Sequence, residues 1–136
     1  MAETVIEVRG LRNQFGSHVV HDDLELDVFR GEILGVVGGS GTGKSVLLRS
    51  IAGLHTPTAG TVRMLGIDVQ NATEEELDRL SERIGVMFQD GALFSSLTVR
   101  ENVEVPLGGI EGLAPETREA LARLKSSLSG LPWLAG

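Results

Sequence analysis

Residues 38–45 read Gly38-Gly39-Ser40-Gly41-Thr42-Gly43-Lys44-Ser45. The pattern matches G-x-x-x-x-G-K-[ST], and the chemistry it suits is the grip of a polyphosphate. Glycines let the backbone curl tightly and approach phosphate oxygens without a side-chain clash. Successive N–H groups then converge into an anion nest at the start of a helix. Lys44 would place its ammonium on the outer phosphates, and Ser45 would offer its hydroxyl to a magnesium ion bridging them. The plain alternative is a glycine-rich turn carrying a surface lysine.

Such a loop needs rigid flanks. Glu32-Ile33-Leu34-Gly35-Val36-Val37 is a short apolar run that predicts a buried strand, and Val46-Leu47-Leu48-Arg49-Ser50-Ile51-Ala52 predicts a helix. Upstream, Glu3 to Arg9 reads as a first strand. Asp23-Leu24-Glu25-Leu26-Asp27-Val28 alternates strictly, so Leu24, Leu26 and Val28 face a core and the acids face water. Two half-exposed strands ahead of a buried one predict an antiparallel sheet packed beside the nucleotide core. A further strand, Gly60-Thr61-Val62-Arg63-Met64, follows the turn Pro57-Thr58-Ala59-Gly60. Met64 and Met87 are read as core fillers.

Thr73-Glu74-Glu75-Glu76 is a capping box, and its acids suit the positive end of a helix rather than catalysis. Leu77, Leu80 and Ile84 share one face of that helix or its exit. Gly85-Val86-Met87-Phe88 predicts a second short buried strand ending at Gln89-Asp90. Thr98-Val99-Arg100-Glu101 repeats the capping box, and Pro106 stops the helix that follows. Leu107 to Gly112 reads as a flexible link. Pro115 then opens a helix with Leu121, Leu124 and Leu128 on one stripe, ended by Gly130 and Pro132.

The whole-chain properties narrow the class. The length of 136 residues corresponds to one domain. The composition, 41% hydrophobic and 23% charged, is ordinary for a globular protein. There is no cysteine, hence no disulfide framework and no thiol chemistry. A net charge of −7 argues against a general nucleic-acid surface. The N-terminus lacks the basic region and apolar core of a signal peptide, and no apolar run approaches the roughly 20 residues that span a bilayer. A cytoplasmic chain without direct membrane insertion is expected.

Taken in order, these features resemble the N-terminal part of the ATP-binding subunit of ATP-binding cassette (ABC) transporters. The resemblance covers residues 4–107 closely and the remainder loosely. It rests on Gly38–Ser45, on Leu48-Arg49-Ser50-Ile51-Ala52-Gly53-Leu54 and on the turn Pro57–Gly60. Gly85-Val86-Met87-Phe88-Gln89 and Leu97-Thr98-Val99-Arg100-Glu101-Asn102-Val103 complete it. It implies an α/β P-loop NTPase fold, an ABC nucleotide-binding domain carried only in part, with an N-terminal antiparallel β subdomain. Residues 1–107 would form the N-terminal portion of that domain. Residues 108–136 would begin its helical subdomain, with a truncated or aberrant end.

Residue by residue, the resemblance implies the following roles. Phe15 stacks on adenine, and Val20 lies beside it as an apolar floor. Gly38, Gly39, Ser40, Gly41, Thr42, Gly43, Lys44, Ser45 and Val46 hold the phosphates of ATP. Val46 stands where most members carry a threonine, so one hydroxyl contact is lost. Ser45 and Gln89 reach Mg2+, and Lys44 and Gln89 serve catalysis, Gln89 also coupling the site to the membrane subunit. Implied partners are a membrane-spanning permease and a second ATP-binding subunit, on the inner face of the cell membrane. The stretch from Phe88 to Val99 resembles the subgroup that moves phospholipids between bacterial membranes. Ala92–Leu97 lies where the family docks its permease, so Phe94 and Leu97 are either exposed anchors or caps of the local core.

The family's later features are expected beyond this stretch. Leu128-Ser129-Gly130 followed by Leu131-Pro132-Trp133 is a false echo of the Leu-Ser-Gly-Gly-Gln signature. The magnesium-holding aspartate, the water-polarising glutamate and the switch histidine have no counterpart, and without the water-polarising carboxylate little or no hydrolysis is expected of these 136 residues alone. His18, His21 and His55 come too early for the switch and are read as ordinary surface or turn residues. The Glu32–Val37 strand needs sheet neighbours on both sides, and the resemblance places its closest ones in the second half of the domain. The alternative function is a nucleotide-binding regulatory module without transport. A P-loop kinase or GTPase fits poorly, because neither a guanine-specificity Asn-Lys-x-Asp nor an arginine-rich lid is present.

Overall fold

The computed structural model describes residues 1–88, 93–110 and 112–129. The chain forms two compact units, Met1–Val86 and Met87–Gly136.

The first unit is built on a long hairpin. Strand β1 (Thr4–Phe15) turns at Gly16-Ser17 into the antiparallel β2 (His18–Phe29). β1 runs past Arg9, where the sequence reading ends the first strand. Gly10 sits at φ +56°, and the pairing register slips between Val8 and Leu11. This bulge re-phases the strand, so Val8 and Leu11, three residues apart, both point into the core. β3 (Ala59–Met64) pairs with β1, and the short β4 (Ile67–Asp68) pairs with β3, giving the order β2-β1-β3-β4. Leu24, Leu26 and Val28 are half-buried on the inner face, as their alternation predicts.

Helix α1 (Lys44–Ile51) lays Leu47, Ser50 and Ile51 onto this sheet. With Val8, Leu11, Val62, Met64, Val69 and Leu80, the apolar Leu47 and Ile51 form the core. Helix α2 (Glu74–Ser81) starts at the predicted capping box. The Thr73 side chain accepts from the Glu76 N–H at 3.2 Å, and the Thr73 N–H donates to Glu76 at 2.9 Å. Leu80 is buried, Ile84 half-buried and Leu77 exposed.

Two expectations fail here for one reason. Glu32–Val37 is not a strand, and Ile33 and Val37 are 99% and 91% exposed. Gly85–Phe88 is not a strand either, and Met87 is 97% exposed rather than a core filler. Both runs are apolar on both faces, and such strands are stable only between hydrogen-bonded neighbours. Among the described residues neither run has one. Met64, by contrast, is buried against β1.

The second unit carries helix α3 (Val99–Glu104), the 3-10 turn η1 (Val105–Gly109) and helix α4 (Pro115–Leu128). The Thr98–Glu101 capping box is formed. Pro106 sits in the first turn of η1, which buries Leu107, so the segment read as a flexible link begins as ordered structure. Pro115 opens α4 as expected. The buried residues of α4 are Ala122 and Ser126, while Leu124 and Leu128 of the predicted stripe are exposed. Gly130 and Pro132 lie outside the described residues.

Candidate functional site

The phosphate-binding pattern lies between the hairpin and α1. Gly41 and Gly43 adopt φ +78° and +93°. Helix α1 begins at Lys44 behind Gly43 with no side-chain cap and no acidic residue in its first turn. The first intrahelical bond runs from the Leu47 N–H to the Gly43 carbonyl at 2.9 Å. The N–H groups of Lys44, Ser45 and Val46 are thus presented at the positive end of the helix, where an anion is stabilised. Upstream, Thr42 closes the loop on itself, its hydroxyl donating to the Gly39 carbonyl at 2.7 Å. The Lys44 ammonium lies across the loop, donating to the carbonyls of Gly38 and, at 3.1 Å, Gly39. Ser45 is exposed. The donor set is therefore cationic and N–H-rich, which fits a polyphosphate with its magnesium.

Gly43 is held to glycine twice over. Its φ lies in the left-handed region, and a Cβ there would stand 2.2 Å from Val20 Cγ1 and 2.8 Å from His21 Nε2. Val20 therefore packs against the end of the loop.

Phe15 ends β1 and is 48% exposed. Its ring stands beside His55, with ring centroids 5.4 Å apart and planes tilted by 31°. Gln89 lies outside the described residues. Phe94 and Leu97 are exposed, and the loop bearing them is stapled by one side chain. Asn102 accepts from the Phe94 N–H at 2.8 Å and donates to the carbonyls of Phe94, Leu97 and Thr98 at 2.9 to 3.2 Å. Asn102→Ala is expected to speed amide exchange at Phe94 about tenfold or more without unfolding α4. Unchanged exchange would remove Asn102 from that role.

Beneath the phosphate-binding loop lies a polar network that the sequence reading missed. Asn13 is fully buried, and His21 nearly so, at 8% exposure. The Asn13 amide donates to His21 Nδ1 and to Ser50 Oγ, both at 3.1 Å. Its oxygen accepts from His55 Nε2 at 3.0 Å, and Ser50 Oγ donates to the Val46 carbonyl at 2.8 Å. His21 is thus an internal strut rather than an ordinary surface residue, whereas His55, half-buried in the turn after α1 as read, is tied into the same network. His18 alone is exposed, as read.

In this arrangement His21 is neutral, accepting at Nδ1 and hydrogen-bonded to the Gly43 backbone on its other side. Burial pushes its pKa below the ordinary 6.5, and the Gly43 contact offsets only part of that shift. The unfolded chain then binds a proton more readily than the folded one, so stability falls as pH drops below about 6.5. A thermal midpoint that declines between about pH 7 and pH 5, and declines less in His21→Gln, is expected. Equal declines would contradict it.

A glycine-lined loop, a lysine and an uncapped helix start define the class of phosphate-loop nucleotide-binding proteins. The comparisons carry the assignment further. The family profile described as ABC transporter matches residues 21–133. The chain belongs to the ABC transporter family. It is 42% identical over 130 residues to the methionine import ATP-binding protein MetN of Rhizobium johnstonii, covering 96% of this chain and 36% of that protein. It is 43% identical over 102 residues to the probable ribonucleotide transport ATP-binding protein mkl of Mycobacterium leprae, covering 75% and 29%. Among solved structures, the ATP-binding cassette MJ0796, a dimer in a post-hydrolysis state bound to ADP and Pi, superposes with a TM-score of 0.83 at 28% identity. That match covers 93% of this chain and 58% of the other. The fold is accordingly a partial ABC nucleotide-binding domain, mixed α/β with an antiparallel sheet. The chain spans about a third of the length of the curated relatives it matches. Among the described residues no helix is long and apolar enough to cross a membrane, and no side-chain group could hold a metal by itself.

Proposed function

We propose that this chain is the N-terminal portion of the ATP-binding subunit of an ABC transporter, binding Mg-ATP to couple its hydrolysis to transport. The observation that carries the reading is the loop Gly38–Ser45, opening onto the uncapped, acid-free start of α1. In this role the Gly41–Val46 backbone amides orient the phosphates, and Lys44 moves from the Gly38 and Gly39 carbonyls to the outer phosphate oxygens. Ser45 and Gln89 would hold a magnesium ion, which would supply charge to offset that of the phosphates. Phe15 and Val20 form the adenine seat. The dimeric neighbour MJ0796 supports pairing with a second ATP-binding subunit. Phe94 and Leu97, exposed on the Asn102-stapled loop, suit a permease contact on the inner face of the membrane.

The test is competition in the protein as its own cell makes it. ATP should displace a bound fluorescent ATP analogue several-fold better than base-free tripolyphosphate, because the Phe15 ring stacks on the base, and the protein should co-purify with a membrane-embedded permease. Equal competition would remove Phe15 from base recognition. ATP preference without any membrane association would favour the second reading, a nucleotide-binding regulatory module.

For cargo, the Phe88–Val99 stretch supports a phospholipid, whereas the relatives are named for methionine import and ribonucleotide transport. ATPase stimulation of the purified complex by phospholipid, but not by methionine or ribonucleotide, is the result the lipid reading requires.

A further inference from the structure

Phe15 ends a strand and is half exposed, so its ring needs support to hold one orientation. That support is His55, 5.4 Å away and tilted by 31°. His55 is fixed from three directions. Its Nε2 donates to buried Asn13 at 3.0 Å, and its backbone N–H donates to the Arg49 carbonyl in the last turn of α1 at 3.2 Å. The turn after it is laced to the end of β1. The Thr58 N–H donates to the Arg12 carbonyl at 2.8 Å, and the Gln14 N–H donates to Thr58 Oγ1 at 3.1 Å.

We propose that His55 is a positioning residue for the base: it braces the Phe15 ring and ties it to α1, so that one helix sets the distance between adenine and phosphate seats. The inference rests on the adenine role given to Phe15 above. The two ends of α1 then act on the two ends of one ligand. Its first turn faces the phosphates, and its last turn, through His55, holds the aromatic platform. A strut of this kind changes recognition of the base and leaves recognition of the phosphate chain alone.

The experiment compares Mg-ATP with Mg-tripolyphosphate, which has the same phosphate chain and no base. Both are titrated into the protein at its native length as wild type, Phe15→Ala, His55→Gln and His55→Phe. His55→Gln keeps a donor for Asn13, so the network survives, but removes the ring. It is expected to weaken ATP about fivefold, a typical loss for one aromatic contact, with tripolyphosphate unchanged. His55→Phe keeps the ring and is expected to hold ATP affinity within about twofold of wild type. Phe15→Ala is expected to weaken ATP about tenfold or more. If Phe15→Ala weakens ATP and His55→Gln does not, the strut is refuted while the adenine seat stands. If Phe15→Ala leaves ATP unchanged, the adenine seat itself fails. Equal losses for ATP and tripolyphosphate in His55→Gln would make His55 a support of the loop and overturn the inference.

Discussion

Lys44→Ala is expected to lower the affinity for Mg-ATP by about a hundredfold or more in the protein as its cell makes it. The ammonium is the one cationic side chain in the eight-residue pattern, and it lies on the loop itself, bonded to the Gly38 and Gly39 carbonyls. Its transfer to phosphate oxygens makes charge-assisted hydrogen bonds, each contributing about 1.5–3 kcal/mol. Two of them amount to about 3 kcal/mol at the low end, and each 1.4 kcal/mol is tenfold. The fold should be indifferent to the change, since Lys44 is half exposed and makes no contact with the core cluster. Calorimetric titration of the variant beside its melting curve separates the two effects. Wild-type affinity in Lys44→Ala would mean that the pattern binds no phosphate.

Gly43→Ala is expected to lose both binding and stability. A residue with a Cβ is strained by about 1–2 kcal/mol at a left-handed φ. Overpacking against Val20 and His21 adds about 1–3 kcal/mol. Together these reach about 3 kcal/mol or more, and for a unit the size of Met1–Val86 that lowers the midpoint by about 12 °C or more. The loss should be relieved in part by Val20→Ala made together with it, because half of the conflict is with that side chain. A Gly43→Ala protein melting within about 2 °C of wild type would contradict the geometry.

The sequence was most informative where chemistry is local. Thr73 and Thr98 were legible as helix starts because a capping box lies within four residues and depends on nothing distant. The same holds for the loop at Gly38–Ser45, where Gly41 and Gly43 sit at the positive φ that glycine permits. Leu24, Leu26 and Val28 were legible because one face of β2 is wet. Where a partner decides, the sequence was silent. Ile33 and Val37 form an apolar run that suits a buried strand, yet a pattern of apolar residues does not say whether its neighbour lies nearby in the chain. The Asn13 network was hidden by the bulge at Gly10, which breaks the alternation of β1. Extending the strand through that bulge puts Asn13 on the buried face with Leu11, directly across from His21. That pairing was the available signal, because a buried asparagine facing a histidine requires partners. Nothing local marked His55, whose role depends on Phe15, 40 positions earlier in the chain.

The central claim is that polyphosphate is held by the backbone of Gly38–Ser45 at the start of α1. Its most direct test is the change in 15N-amide NMR resonances as Mg-ATP is added. Saturable shifts are expected that are largest at Gly41, Gly43, Lys44 and Ser45, and that vanish in Lys44→Ala. Saturation by Mg-ATP that moves amides elsewhere while those four stay in place would contradict it.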